Sequence, residues 1–134
     1  MKPPVETVRI SKKGRDILLK LKRQTGVENW NVLCRWALMA SLREKKRPSL
    51  GRENSEGGIE MSWKVFAGEY SDVFAAMVTA RAISDGYDGS NEDTADCLRA
   101  HLARGLEYLG SGFETKSIAS FLSRWALGQT ATKG

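Results

Sequence analysis

The sequence predicts a mainly α-helical single domain that opens on a short β-strand and carries a possible second strand. Three observations predict it. Apolar residues recur at helical spacing in five segments of the 134-residue chain. A β-branched run opens the chain at residues 5–10. An alternation of apolar and polar residues from Ile59 to Val65 marks a strand over 59–66.

Residues 5–10, Val-Glu-Thr-Val-Arg-Ile, read as the first strand, with Thr7 and Arg9 on one face and Val8 and Ile10 on the other. Ser11 is an N-cap for a helix to Gln24. Its apolar stripe is Ile10, Gly14, Ile17, Leu18 and Leu21. Lys12, Lys13, Lys20, Lys22 and Arg23 fall opposite, with Leu19 the one apolar residue among them. Gly26 suits a left-handed C-cap. The next helix starts at Glu28 or Asn29 and runs to about Lys46, where Pro48 stops it. Trp30, Leu33, Ala37, Leu38 and Leu42 are its core residues. Val32, Trp36 and Met39 make it apolar nearly all round, a pattern that predicts burial against a second copy.

Residues 48–58 carry Pro48, Gly51, Gly57 and Gly58 and read as a loop. The strand at 59–66 follows, then a helix over 70–83 through Tyr70, Val73, Phe74, Met77 and Val78. Residues 85–93 form an acidic loop in which Ser90 and Asp93 make a capping box. A helix with Leu98, Leu102, Leu106 and Leu109 on one side leads to Gly110 and Gly112, which are expected to break it. A last helix starts near Thr115 with Ile118, Phe121, Leu122 and Trp125, and Gly128 ends it before a tail at 129–134. The organisation predicted is a basic strand-helix-helix part over 1–47, the loop, and a strand with helices over 59–128, in one domain.

Charge divides the chain unevenly. Residues 1–47 hold 13 Lys+Arg against 4 Asp+Glu, a net +9, whereas residues 48–134 hold 8 against 12, a net −4. Such a basic segment predicts a polyanion partner, and nucleic acid is the usual one, because clustered cations displace its condensed counterions. The candidate DNA-binding residues are Arg9, Lys12, Lys13, Arg15, Lys20, Lys22, Arg23, Arg43, Lys45, Lys46 and Arg47. If about six to eight cations meet phosphates, log affinity falls against log salt with a slope of roughly −5 to −7.

Chemistry-bearing motifs are few. Cys34 and Cys97 form no CxxC pair, and His101 is the one histidine, so a local four-ligand zinc site cannot be built. No metal and no cofactor is expected. The acidic loop lacks the ligand order of an EF-hand. Cys97 and His101 stand at i, i+4 and so share a helix face, without an evident third group to orient them. No phosphate loop, Rossmann glycine pattern or nucleophile elbow is present. The longest apolar stretch, Val32 to Leu42, is too short to span a bilayer and contains Arg35. The opening Met1-Lys2-Pro3-Pro4 has no signal-peptide pattern, which predicts a cytoplasmic protein.

The layout of residues 5–46 resembles the ribbon-helix-helix fold, in which strands of two chains pair and enter the DNA major groove. A repressor reading an operator through Arg9 is therefore one alternative. A sulfur-carrying enzyme using Cys34 or Cys97 is another.

A more specific likeness lies in separate motifs. Leu18-Leu19-Lys20-Leu21-Lys22-Arg23-Gln24-Thr25-Gly26 and Trp30-Asn31-Val32-Leu33-Cys34-Arg35-Trp36-Ala37-Leu38 resemble the N-terminal motif of the DndE family. Phe66-Ala67-Gly68-Glu69-Tyr70 and His101-Leu102-Ala103-Arg104-Gly105-Leu106-Glu107-Tyr108-Leu109 resemble its second half. The resemblance implies a part in bacterial DNA phosphorothioation, in which sulfur replaces a non-bridging phosphate oxygen. It implies DNA and the other proteins of a sulfur-modification complex as partners, and a DNA-binding rather than catalytic role. Lys20, Lys22, Arg23 and Arg35 lie in the matching stretch and are candidates for DNA or partner contact, with an internal ion pair the other reading of Arg35. A homo-oligomer, dimer or tetramer, is expected.

Overall fold

The computed structural model describes residues 2–49 and 56–112. Strand β1, Thr7–Ile10, buries Val8 and Ile10 and turns Arg9 outward, as alternation demands. Helix α1 spans Lys12–Thr25. The Ser11 hydroxyl accepts from the Gly14 N–H at 3.0 Å and satisfies one of the orphan donors of the first turn. Gly26 ends the helix at φ 78°, a left-handed conformation that costs glycine nothing sterically. Helix α2 covers Trp30–Leu42.

Strand β2, Ile59–Ser62, pairs antiparallel with β1 in the register Thr7↔Ser62, Val8↔Met61, Arg9↔Glu60 and Ile10↔Ile59. The ribbon is thus built within one chain, where the ribbon-helix-helix analogy expects strands from two. The alternation predicted over 59–66 continues as strand only to Ser62. There the serine hydroxyl accepts from the Val65 N–H at 3.1 Å and starts helix α3, Trp63–Ala67. A local cap outcompetes the ladder, because it satisfies helix donors that a lone pair of strands would leave open. A 3-10 turn, Gly68–Tyr70, leads into α4, Ser71–Ser84.

Helix α5, Asn91–Gly112, is the axis of the packing: α1, α2, α4 and β1 all lie against it. Of the predicted box one half forms: the Asp93 N–H donates to the Ser90 hydroxyl at 3.1 Å, but the Asp93 carboxylate accepts from the Asp88 N–H at 3.0 Å, and the Ser90 N–H is taken by Asp88 at 2.8 Å. The helix runs through Gly110 rather than breaking there. The closest approach is to α2. A Cβ at Gly105 would stand 1.8 Å from the Ala37 carbonyl oxygen, so only glycine permits this crossing. Leu18, Leu21, Leu33, Leu38, Phe66, Leu102, Leu106 and Leu109 fill the core, all essentially inaccessible to solvent. The helix and tail predicted beyond residue 112 lie outside the described residues.

The second helix is shorter than its sequence pattern. It ends at Leu42, not near Lys46, so Arg43, Lys45, Lys46 and Arg47 follow it as an irregular tail. The cause lies in distant parts of the chain and belongs to the site.

Candidate nucleic-acid interface

Helix α1 supplies the first part of the cationic surface. Gly14, Leu18, Leu21 and Thr25 are buried on one side. Lys12, Lys13, Arg15, Lys20, Lys22 and Arg23 occupy the rest, about half the circumference at 100° per residue, with Asp16 the one acid among them. Leu19, the apolar residue in that arc, is half-buried. Lys22 leans over the Trp30 ring, 4.7 Å from its centroid, which uses the lysine stem as a cover for the indole. Two surface pairs border the face: Arg9 Nε with Glu60 Oε2 at 3.2 Å, and Lys13 Nζ with Glu107 Oε2 at 2.8 Å. Side chains in both are more than half exposed, so each pair contributes little and exchanges readily with a stronger anion.

The tail after α2 supplies the second part. A helix end leaves carbonyls without partners. Here arginines from α4 and α5 take them. Arg81 donates to the Leu42 carbonyl at 3.1 Å, to Lys46 at 3.3 Å, and to Glu44. Arg104 donates to the Ser41 carbonyl at 2.8 Å and to Lys46 at 2.7 Å. Two planar guanidinium forks thus hold the end of α2 and the irregular stretch from 43 to 46. Arg47 is turned against the protein: it donates to the Asp85 carbonyl at 2.8 Å and stacks 4.3 Å above the Tyr87 ring centroid. Lys45 and Lys46 are left facing solvent.

A buried polar chain anchors those arginines. The Asp85 side chain, 3% exposed, accepts from Arg81 Nε at 2.9 Å and from His101 Nε2 at 2.8 Å. On the other ring face, His101 Nδ1 lies 2.8 Å from the Ser41 hydroxyl, which accepts from Arg104 Nε at 2.8 Å. Burial pushes Asp85 upward, but hydrogen bonds from Arg81 and His101 and the Arg81 charge outweigh it, and the carboxyl stays below its usual range. Burial pushes His101 down, Asp85 restores only part, and the ring is held neutral. The proton positions follow. Nε2 carries hydrogen toward the carboxylate, Nδ1 accepts, and the Ser41 hydroxyl donates to it while accepting from Arg104.

The order Asp85–His101–Ser41 has the connectivity of a nucleophile relay, but Ser41 has no solvent exposure and its oxygen is already held by Arg104. Cys97, also buried, donates weakly to Asp85 at 3.9 Å, and burial and that carboxylate push its thiol up to about 12. Asp85, Cys97 and His101 offer one ligand atom each within 4.8 Å. Arg81 holds the other carboxylate oxygen, and the arginines around the cluster add positive charge that opposes a cation there. Cys34 is fully buried, and burial pushes its thiol to about 12 against a smaller opposing effect of Arg35. Arg35 itself is spent inside, donating to the Phe66 carbonyl at 2.8 Å.

Adjacent residues of α5 border both basic stretches: Glu107 holds Lys13 and Tyr108 donates to Glu44. Sequence reasoning missed Ser41 and read Asp85 only as part of the acidic loop, not as the partner of Arg81 and His101. Ser41 stands four residues beyond buried Ala37 on the same face, and His101 four beyond buried Cys97, so two polar residues in apolar stripes were the available signal.

The fold and surface define a small helical protein with a cationic helix face and an internally braced basic tail. Residues 7–117 match the family described as DNA sulphur modification protein DndE, and the chain belongs to that family. No curated protein matches it. Its role therefore lies in DNA sulfur modification. Among the described residues no helix is long and apolar enough to cross a membrane.

Proposed function

We propose that this protein is the DNA-binding, non-enzymatic component of a cytoplasmic phosphorothioation complex, and that it grips the DNA backbone with its basic N-terminal surface. The observation that carries this reading is α1, whose outward face bears six cations and one acid over its whole length. Such a face suits phosphates, which fix position without reading sequence. Arg9 and the tail residues Arg43, Lys45 and Lys46 extend it, while Arg47 contributes mainly by bracing. The other proteins of the sulfur-modification machinery are its partners. Sulfur carriage by Cys34 or Cys97 is disfavoured by their burial and protonated thiols. Operator reading by a two-chain ribbon is disfavoured because β1 is already paired with β2. The test is charge reversal at Lys12, Lys13, Lys20, Lys22 and Arg23. Affinity should fall across all DNA sequences with folding intact; unchanged binding would sink the assignment.

A second copy of the chain is the natural cover for α4. Val73, Ala76, Met77, Ala80 and Ile83 share its outward face without a charge, and Val73 and Ile83 are 56% and 61% exposed. The alanines allow a close helix–helix approach. Light scattering at micromolar concentration should report an oligomer, and Val73→Glu with Ile83→Lys should reduce it to a monomer. A wild-type monomer would refute the interface.

A further inference from the structure

We propose that a cavity beside β1 recognises the sulfur-bearing phosphate of modified DNA. This inference rests on the DNA-binding reading and assigns it a ligand. The cavity, about 250 Å³, lies between the end of β1, the first turns of α1 and the middle of α5. Arg9, Lys13 and Arg99 stand at it from three different elements. Ile17, Leu102 and Leu106 supply apolar walls. Cations beside an apolar wall match one ligand chemistry especially well.

A phosphorothioate diester keeps the single negative charge of a phosphate. Its sulfur is larger, more polarisable and a poorer hydrogen-bond acceptor than oxygen, so it loses less on leaving water. The remaining oxygen meets the arginines and the sulfur lies against Ile17 and the leucines. An ordinary phosphate would have to place a strongly hydrated oxygen against Ile17, Leu102 and Leu106, where an apolar wall repays less of its hydration than it does for sulfur. The two non-bridging positions are inequivalent in the cavity, so the preference is stereospecific. Glu107 stands there too and pairs with Lys13 at 2.8 Å. Its carboxylate holds the lysine in place and yields it to the incoming diester. Arg99 pairs with Asp96 at 3.1 Å on an exposed stretch of α5 and exchanges in the same way.

The experiment titrates the full chain with three fluorescent duplexes of one sequence. One is unmodified, and two carry a single phosphorothioate of opposite configuration. One configuration should bind about fourfold tighter than the unmodified duplex, the ratio given by burying one methylene-sized apolar group. Ile17→Asn should abolish that ratio, Arg99→Gln should shrink it, and Glu107→Gln should tighten binding. Thermal melts of each variant establish that it is folded, and Arg99→Gln, on the surface, carries the test if Ile17→Asn does not fold. Equal affinity for all three duplexes overturns the inference while leaving backbone binding intact, as does a ratio that survives in both Ile17→Asn and Arg99→Gln. Failure to bind any duplex overturns the DNA-binding reading and this inference with it.

Discussion

His101 carries the clearest residue-level consequence. Its ring is neutral in the fold because burial lowers its proton affinity. In the unfolded chain it titrates near the usual value of about 6.5. The unfolded state therefore binds more protons as pH falls below about 6.5, and stability drops by up to about 1.4 kcal/mol per pH unit for that one group. Asp85, also held low, adds a second loss as pH falls below about 3.9. Thermal melts of wild type between pH 7.5 and 5.5 should show the loss, and His101→Gln should flatten it. An equal slope in both would show that His101 is not the sensor. Tyr87 makes the opposite case. Its buried hydroxyl has no partner among the described residues, so Tyr87→Phe should be neutral or stabilise by roughly 1 kcal/mol in urea unfolding. A marked destabilisation would mean that the hydroxyl is bonded after all.

At the scale of elements, the crossing of α2 and α5 depends on Gly105. A methyl there would collide with the Ala37 backbone, which cannot yield as a side-chain tip can. Gly105→Ala should cost roughly 3 kcal/mol or more, read as a fall in denaturation midpoint. A near-neutral result would mean that the helices slide apart easily. Local signals made much of this level legible. Ser11, Gly26 and the Ser90 cap are readable because caps act over a few residues. The end of α2 is not, because Arg81 and Arg104, some forty and sixty residues away, decide where its carbonyls find donors. The end of β2 escaped for a different reason. Ile59 to Val65 alternates as a strand does, but Ser62 caps a helix, and the cap wins.

For the molecule as a whole, the division of charge read from the sequence becomes a division of labour. The cations of α1 face outward, whereas several arginines elsewhere hold backbone carbonyls: Arg35 that of Phe66 in α3, and Arg81 and Arg104 those at and beyond the end of α2. Residue type alone could not separate these uses, and Arg47 shows the limit, being basic by composition but committed to Asp85 and Tyr87. The central claim is that the outward cations meet a DNA backbone. The most direct measurement is DNA affinity against salt, for wild type and for a chain with Lys12, Lys20 and Arg23 changed to Gln. The account predicts a log–log slope of roughly −5 to −7 for wild type, reduced by about 0.9 for each phosphate contact removed and alike for unrelated sequences. A slope near zero, or one unchanged by the three substitutions, would contradict it.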